Sequence, residues 1–381
     1  MPTTTLRALC LLTLACSLVA CDQEELYEDD EPSPEEVFGV SWRGWGFGSS
    51  STRLNTNVVN GSAVDTVRFG LPTSYGQTVT DVYINGFGWL DDDIDTLEVV
   101  DGALRASKNG QQIVAHAFDG SIWFLEVNGE FAWMQLEDVR YASEVGLANY
   151  GAKAMTNLDP DRLVYKWYSP TAPPAGTAVD PKTGQGGYYD GLHTCPDDSK
   201  SSTWSVLSRG LLVNAANGDV AETYWAPSQY AYFACLSGAV GKTMLWGYSH
   251  DNPAGGMPNV SLSEYESALR ATRADYCGDG NSYTRPGEAV TLADAWGINQ
   301  HNGEAINDEA VFGSQGALCV DNPRWEYFQA SIQCSNGTVI PRCKTFKYCV
   351  AAPVWKCYYD YAQDVFEDHS DALIWTRNAS F

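Results

Sequence analysis

The pattern of apolar and polar positions reads as β-structure over residues 38–150. Thr78 to Tyr83 alternates and runs into Asn85-Gly86, a turn pair. The apolar run Ile122 to Val127 leads into Asn128-Gly129 and out through Phe131 to Leu136. Two such runs around a two-residue Asn-Gly predict a hairpin, because both turn residues tolerate positive φ. Glycines at 102, 110, 120 and 129 punctuate the region at similar intervals, the mark of a meander of short strands. Arg162 to Trp167 reads as a further strand, and Pro170 to Asp190 as loop. The period then changes. Ser261-x-x-Glu264 is a capping box, and Tyr265, Ala268, Leu269, Thr272 and Tyr276 follow at helical spacing, with Gly278 expected to end the helix. Cys235 to Trp246 is a second helix candidate, weakened by Gly238 and Gly241. Aromatic and β-branched residues return from 320 to 381. The pattern predicts a β-rich α+β protein, a glycine-punctuated β meander followed by a mixed domain with one or two short helices.

Neither end of the first forty residues carries a fold pattern. A short apolar run, Ala8 to Val19, follows Arg7 and is too short to span a bilayer comfortably. Leu18-Val19-Ala20-Cys21 then resembles the lipobox of bacterial lipoproteins. That likeness implies a signal peptide over 1–20, cleavage before Cys21, acylation of Cys21 and a membrane anchor. The alternative is an ordinary secretory cut beside a chance cysteine. Residues 22–37 hold nine acids and no base, which predicts an extended acidic tether from 21 to 37. Inner and outer membrane remain equal choices.

Charge extends the same picture. The 381 residues carry 23 Lys+Arg against 48 Asp+Glu, a net −25. A field of that sign disfavours nucleic acid and anionic surfaces. Of eleven cysteines, Cys10 and Cys16 would leave with the signal peptide and Cys21 would carry the lipid. Eight remain: Cys195, Cys235, Cys277, Cys319, Cys334, Cys343, Cys349 and Cys357. An even number in an exported chain predicts disulfides, and no C-x-x-C pair favours zinc. Their pairing is open.

One stretch resembles a known family. Arg273-Ala274-Asp275-Tyr276-Cys277-Gly278-Asp279-Gly280 follows Phe233-Ala234-Cys235, Gly241-Lys242 and Trp246-Gly247-Tyr248, and precedes Thr284-Arg285 and Gly287. With Cys319, Cys334 and Pro341-Arg342-Cys343 downstream, this is similar to the ADYC domain of bacterial proteins, frequent in myxobacteria. The likeness spans about 140–345. It sets 38–139 apart as a β-rich region and 346–381 as an aromatic, cysteine-containing extension. The family brings no established activity. Its pattern has cysteines near Thr243 and near Ala268 that are absent here, as if a bridge were lost as a pair.

Candidate chemistry is sparse. Asp275, Asp279 and Glu288, with Arg273 beside them, form a candidate cation or acid/base cluster. The favoured alternative is a helix end fixed by Cys277, with Asp279-Gly280-Asn281 as a turn bonded to its own backbone. Asp91, Asp93 and Asp95 alternate and could converge on Ca²⁺, a hard ion that takes oxygen ligands; a solvated acidic loop is the plainer reading. No cofactor is expected beyond that calcium. Ser249-His250-Asp251 are neighbours, and a triad needs convergence from separate elements. Trp42, Trp45, Phe47, Trp89 and Trp123 are candidates for a sugar-stacking strip, with core packing the better reading. The residues therefore lead to a membrane-anchored lipoprotein, a non-enzymatic binding or structural envelope component with a protein or glycan partner yet to be named. The alternatives are a hydrolase of polysaccharide or peptide and a calcium-stabilised adhesion module.

Overall fold

The computed structural model describes residues 48–49, 58–59, 62–63, 66–69, 77–90, 94–127, 130–145, 161–169, 193–195, 203–214, 217–222, 230–251, 260–284, 289–299, 301, 307–324, 332–351 and 355–378. Cys21, the acidic tether, Trp42, Trp45, Phe47, Asp91 and Asp93 lie outside them. Asp95 and Trp89 lie in strands whose backbone alone is described at those positions.

Seven strands close on themselves. They are β1 (Thr66–Phe69), β2 (Gln77–Ile84), β3 (Ile122–Val127), β4 (Glu130–Tyr141), β5 (Leu163–Tyr168), β6 (Trp204–Arg209) and β7 (Tyr230–Cys235). Consecutive members pair, and β7 returns to β1; β1 and β2 run parallel and every other pair antiparallel. Closure removes the unpaired edges that a meander of this size would otherwise expose. The expected hairpin is β3–β4, with Val127 opposite Glu130. Inside the ring, Trp167 stacks on Phe233 at 5.0 Å and meets Trp123 edge-on at 5.4 Å. Trp123, Trp167 and Phe233 are all fully buried, so Trp123 is core and not a stacking surface. The small sheet of Ile94–Val100, Ala103–Lys108 and Gln111–Val114 joins the same core through Val99, Leu104, Ala106 and Ile113. There Tyr165 Oη donates to Gly102 O and accepts from Leu104 N.

Two helices cover the outside of the ring. Every residue of β7 is buried because its other face lies under them, which is why Tyr-Ala-Tyr-Phe-Ala-Cys shows no alternation. The strand ends at Cys235, so the helix expected from there begins later, as α1 (Ala239–Leu245). Gly241 has a reason to be glycine: a Cβ there would stand 2.3 Å from Cys235 O. Helix α2 (Leu262–Arg273) starts at the predicted capping box, with Glu264 N on Ser261 Oγ at 3.3 Å and Ser261 N on Glu264 Oε2. Its buried stripe, Tyr265, Ala268, Leu269 and Thr272, packs on α1. Thr243 Oγ1 lies 3.0 Å from Thr272 Oγ1, which itself donates to Ala268 O.

Beyond α2 stands a second sheet. Its strands are β8 (Ala289–Asp294), β9 (Asn307–Gly313), β10 (Gly316–Val320) and, after the short hairpin β11 (Ile332–Gln333)–β12 (Val339–Ile340) and helix α3 (Ala362–Asp368), β13 (Ile374–Asn378). The order is Gly48–Ser49, β8, β13, β9, β10. Val290, Leu292, Ala310, Phe312 and Ile374 face α2, while Val311, Cys319 and Trp375 pack on the α3 side. The protein is a β-rich α+β fold, with a filled ring and a second sheet on opposite sides of a helix pair. Strands from both sides of residue 140 share the ring.

Three disulfides are described: Cys195–Cys235, Cys277–Cys334 and Cys319–Cys343. Cys349 and Cys357 are direct partners in the antiparallel hairpin Thr345–Ala351/Trp355–Asp360.

Candidate functional site, the knot at the end of helix α2

The residues from Arg273 to Gly280 form one tightly bonded turn. Helix α2 stops at Arg273, one turn before the expected Gly278, because Ala274 takes the left-handed conformation with φ 53° and ψ 39°. Ala274 N then donates to Ala271 O and Asp275 N to Arg270 O, the reciprocal bonding of a Schellman cap. That conformation opposes a Cβ by about 1–2 kcal/mol, and alanine carries the smallest one. Its methyl is fully buried in the helix core.

Asp275 follows, with no exposed surface. Its Oδ1 accepts from Asp279 N at 3.2 Å and its Oδ2 from Gly280 N at 2.9 Å. Asp279 Oδ1 accepts from Asn281 N in turn. The carboxylates of Asp275 and Asp279 therefore face backbone amides, as the turn reading expects; Glu288, the third acid of the candidate cluster, lies outside the described residues. Arg273 Nη2 donates to Gly280 O at 2.6 Å, and its charge acts on both carboxylates. Burial pushes the Asp275 carboxyl up to about 6, against the opposing pull of Arg273 and the Gly280 N–H.

Tyr276 points the other way, into the core. Its ring lies between Tyr283 at 5.7 Å and Phe312 at 5.8 Å. Its hydroxyl donates to Glu309 Oε1 at 2.8 Å and accepts from Arg324 N at 3.0 Å. Glu309 and Arg324 form an ion pair at 2.8 Å with both side chains fully buried. Arg324 also donates to Thr272 O and Ala271 O, the last carbonyls of α2. A cation there opposes the negative end of the helix dipole. Burial raises the Tyr276 hydroxyl well above its ordinary range, so it stays protonated and can donate.

Cys277 closes the turn by bonding Cys334, a buried residue just before the exposed tip of β11–β12. Gly278, at φ 63°, passes so close to the β9–β10 turn that a Cβ would meet Gln315 O at 2.1 Å. Ala317 N donates to Tyr276 O at 2.7 Å from the same turn. The tetrapeptide Ala274 to Cys277 thus ends a helix, caps a turn, buries a hydroxyl and forms a crosslink.

The other candidates sit elsewhere. Ser249 Oγ donates straight to Asp251 Oδ1 at 2.9 Å, alongside Ser208 Oγ and Arg209 N, and His250 Nε2 lies 3.0 Å from Arg209 O. The serine reaches the carboxylate without the imidazole between them, so this is a loop clamp and not a relay. Among the described residues no group of three or more His, Cys, Asp or Glu side chains is arranged to hold a metal. Sequence reasoning missed Glu309 and Arg324. The one sign of Glu309 was an acid opening the apolar run Ala310-Val311-Phe312; Arg324 gave none.

These features define a disulfide-crosslinked β-rich protein whose signature residues serve as a clamp between a helix, a sheet edge and a hairpin. The ADYC domain family model matches residues 147–326, so this part of the chain is an ADYC domain. That span takes in β5 to β10, with Tyr276, Glu309 and Arg324, and stops short of Cys334. No curated protein and no solved structure matches the chain.

Proposed function

We propose that this protein is an exported lipoprotein, anchored through Cys21, that serves as a non-enzymatic binding or structural component of the cell envelope. The observation that carries the reading is the crosslinking: three disulfides, five of their six sulfurs belonging to buried residues, join distant parts of the domain. Such bridges form and persist outside a reducing cytoplasm. The lipobox-like Leu18 to Cys21 and the acidic segment after it supply anchor and spacer. The scaffold role is supported by how the buried carboxylates are used. Asp251, Asp275, Asp294 and Glu309 all accept from backbone N–H groups or buried side-chain donors of the domain itself.

Cys21→Ala tests the anchor. The wild type incorporates labelled fatty acid and sediments with membranes. The variant loses the label and is recovered in the soluble extracytoplasmic fraction. Unchanged labelling and sedimentation in the variant refute the reading.

A further inference from the structure

We propose that Cys277–Cys334 is a thiol–disulfide exchange site, a latch that an extracytoplasmic dithiol reductant opens while the rest of the domain stays folded. The three described bridges differ in access. Cys195, Cys235 and Cys343 are fully buried and Cys319 is 3% exposed. Cys277 is partly exposed, at the surface end of the knot, while its partner Cys334 is 6% exposed, so Cys277 Sγ is the sulfur open to attack. Exchange needs a thiolate to reach a sulfur, so access ranks the bridges.

The surroundings decide what opening does. Cys334 sits on the β11–β12 hairpin, whose residues 335–339 are all exposed, Val339 by 54%. Apart from the bridge, the hairpin is held to the knot by an exposed bond from Ser335 Oγ to Asp279 Oδ2, and to the core by Ile332 and Ile340. Its C-terminal base is fastened separately, by Val320 N on Pro341 O and by Cys319–Cys343. Opening the latch therefore releases the tip and leaves the base. The knot retains Tyr276, Glu309, Arg324 and the Asp275 cap, none of which depends on Cys334.

The chemistry balances with a dithiol alone. One thiolate attacks Cys277 Sγ, the Sγ–Sγ bond breaks, and Cys334 leaves as a thiolate that takes a proton from water. The second thiolate of the reductant attacks its own sulfur in the mixed disulfide and releases Cys277, which is protonated likewise. Two electrons pass to the bridge, and the reductant ends as its own disulfide.

The oxidised, folded full-length chain is treated with dithiothreitol without denaturant and quenched with iodoacetamide over time. The alkylated cysteines are then mapped by mass spectrometry. Cys277 and Cys334 are expected to be alkylated roughly tenfold or more faster than Cys195, Cys235, Cys319 and Cys343. The fast phase should vanish in the double variant Cys277→Ser/Cys334→Ser. Hydrogen exchange should rise over 332–340 after the fast phase and stay unchanged in β3 to β7. Either of the other described bridges opening first, all three opening together, or an unmoved hairpin would overturn the proposal.

Discussion

Removing the Tyr276 hydroxyl separates a packing role from a bonding role at the centre of the signature. Tyr276→Phe keeps the ring between Tyr283 and Phe312 and deletes one oxygen. That oxygen serves two buried partners, Glu309 Oε1 at 2.8 Å and Arg324 N at 3.0 Å. Glu309 keeps Arg324 Nε but loses its neutral donor, a hydrogen bond to a charged group worth about 1.5–3 kcal/mol. The Arg324 N–H is left without an acceptor in a buried place, at a cost of about 1 kcal/mol or more. Together these predict a loss of about 3 kcal/mol, measured as a lower urea midpoint at unchanged slope with all disulfides intact. Tyr141→Phe, at a tyrosine 38% exposed at the end of β4, is the control, and a change within about 0.5 kcal/mol is expected. A Tyr276→Phe loss below about 1 kcal/mol would refute the bonding role and leave only the ring.

Two further predictions concern the same turn. Gly278→Ala would force a Cβ onto Gln315 O at a φ of 63°, so thermal unfolding should show a loss of about 3 kcal/mol or more, or no folded protein. Asp275 carries a pH signature. Its folded-state value, about 6, stands above the ordinary 3.8, so the folded protein binds the proton more tightly than the unfolded chain. Stability from this group therefore falls as pH rises from about 3.8 to about 6 and is flat beyond. Subtracting the Asp275→Asn stability profile from that of the wild type should isolate this slope; a flat difference across that window would contradict it.

Local features were the legible ones. The capping box at Ser261 and Glu264, the β3–β4 hairpin and the strand before Asn85-Gly86 each depend on residues a few positions apart, and each stands where the pattern put it. Closure of the ring was not legible, because it depends on which distant strands pair, β1 with β7 and β2 with β3. Helix α2 shows the limit within a single element. Gly278 looked like its terminator, yet the tertiary bonds of Arg324 to Ala271 and Thr272 and the burial of Tyr276 settle the end at Ala274, overriding the local preference for glycine. Gly278 is needed for a different reason, the approach of the β9–β10 turn. The signature tetrapeptide could be read as a pattern, and its turn at Asp279-Gly280-Asn281 was foreseen. Its partners Glu309 and Arg324, 33 and 48 residues beyond Tyr276, could not be.

The most direct test of a crosslinked clamp is a non-reducing peptide map of the protein recovered after export. The account predicts linked peptides for Cys277–Cys334, Cys195–Cys235 and Cys319–Cys343, with Cys349 and Cys357 joined across their hairpin. The intact mass should then lie about eight daltons below that of the reduced chain. A free Cys277, or Cys277 joined to any cysteine other than Cys334, would contradict it.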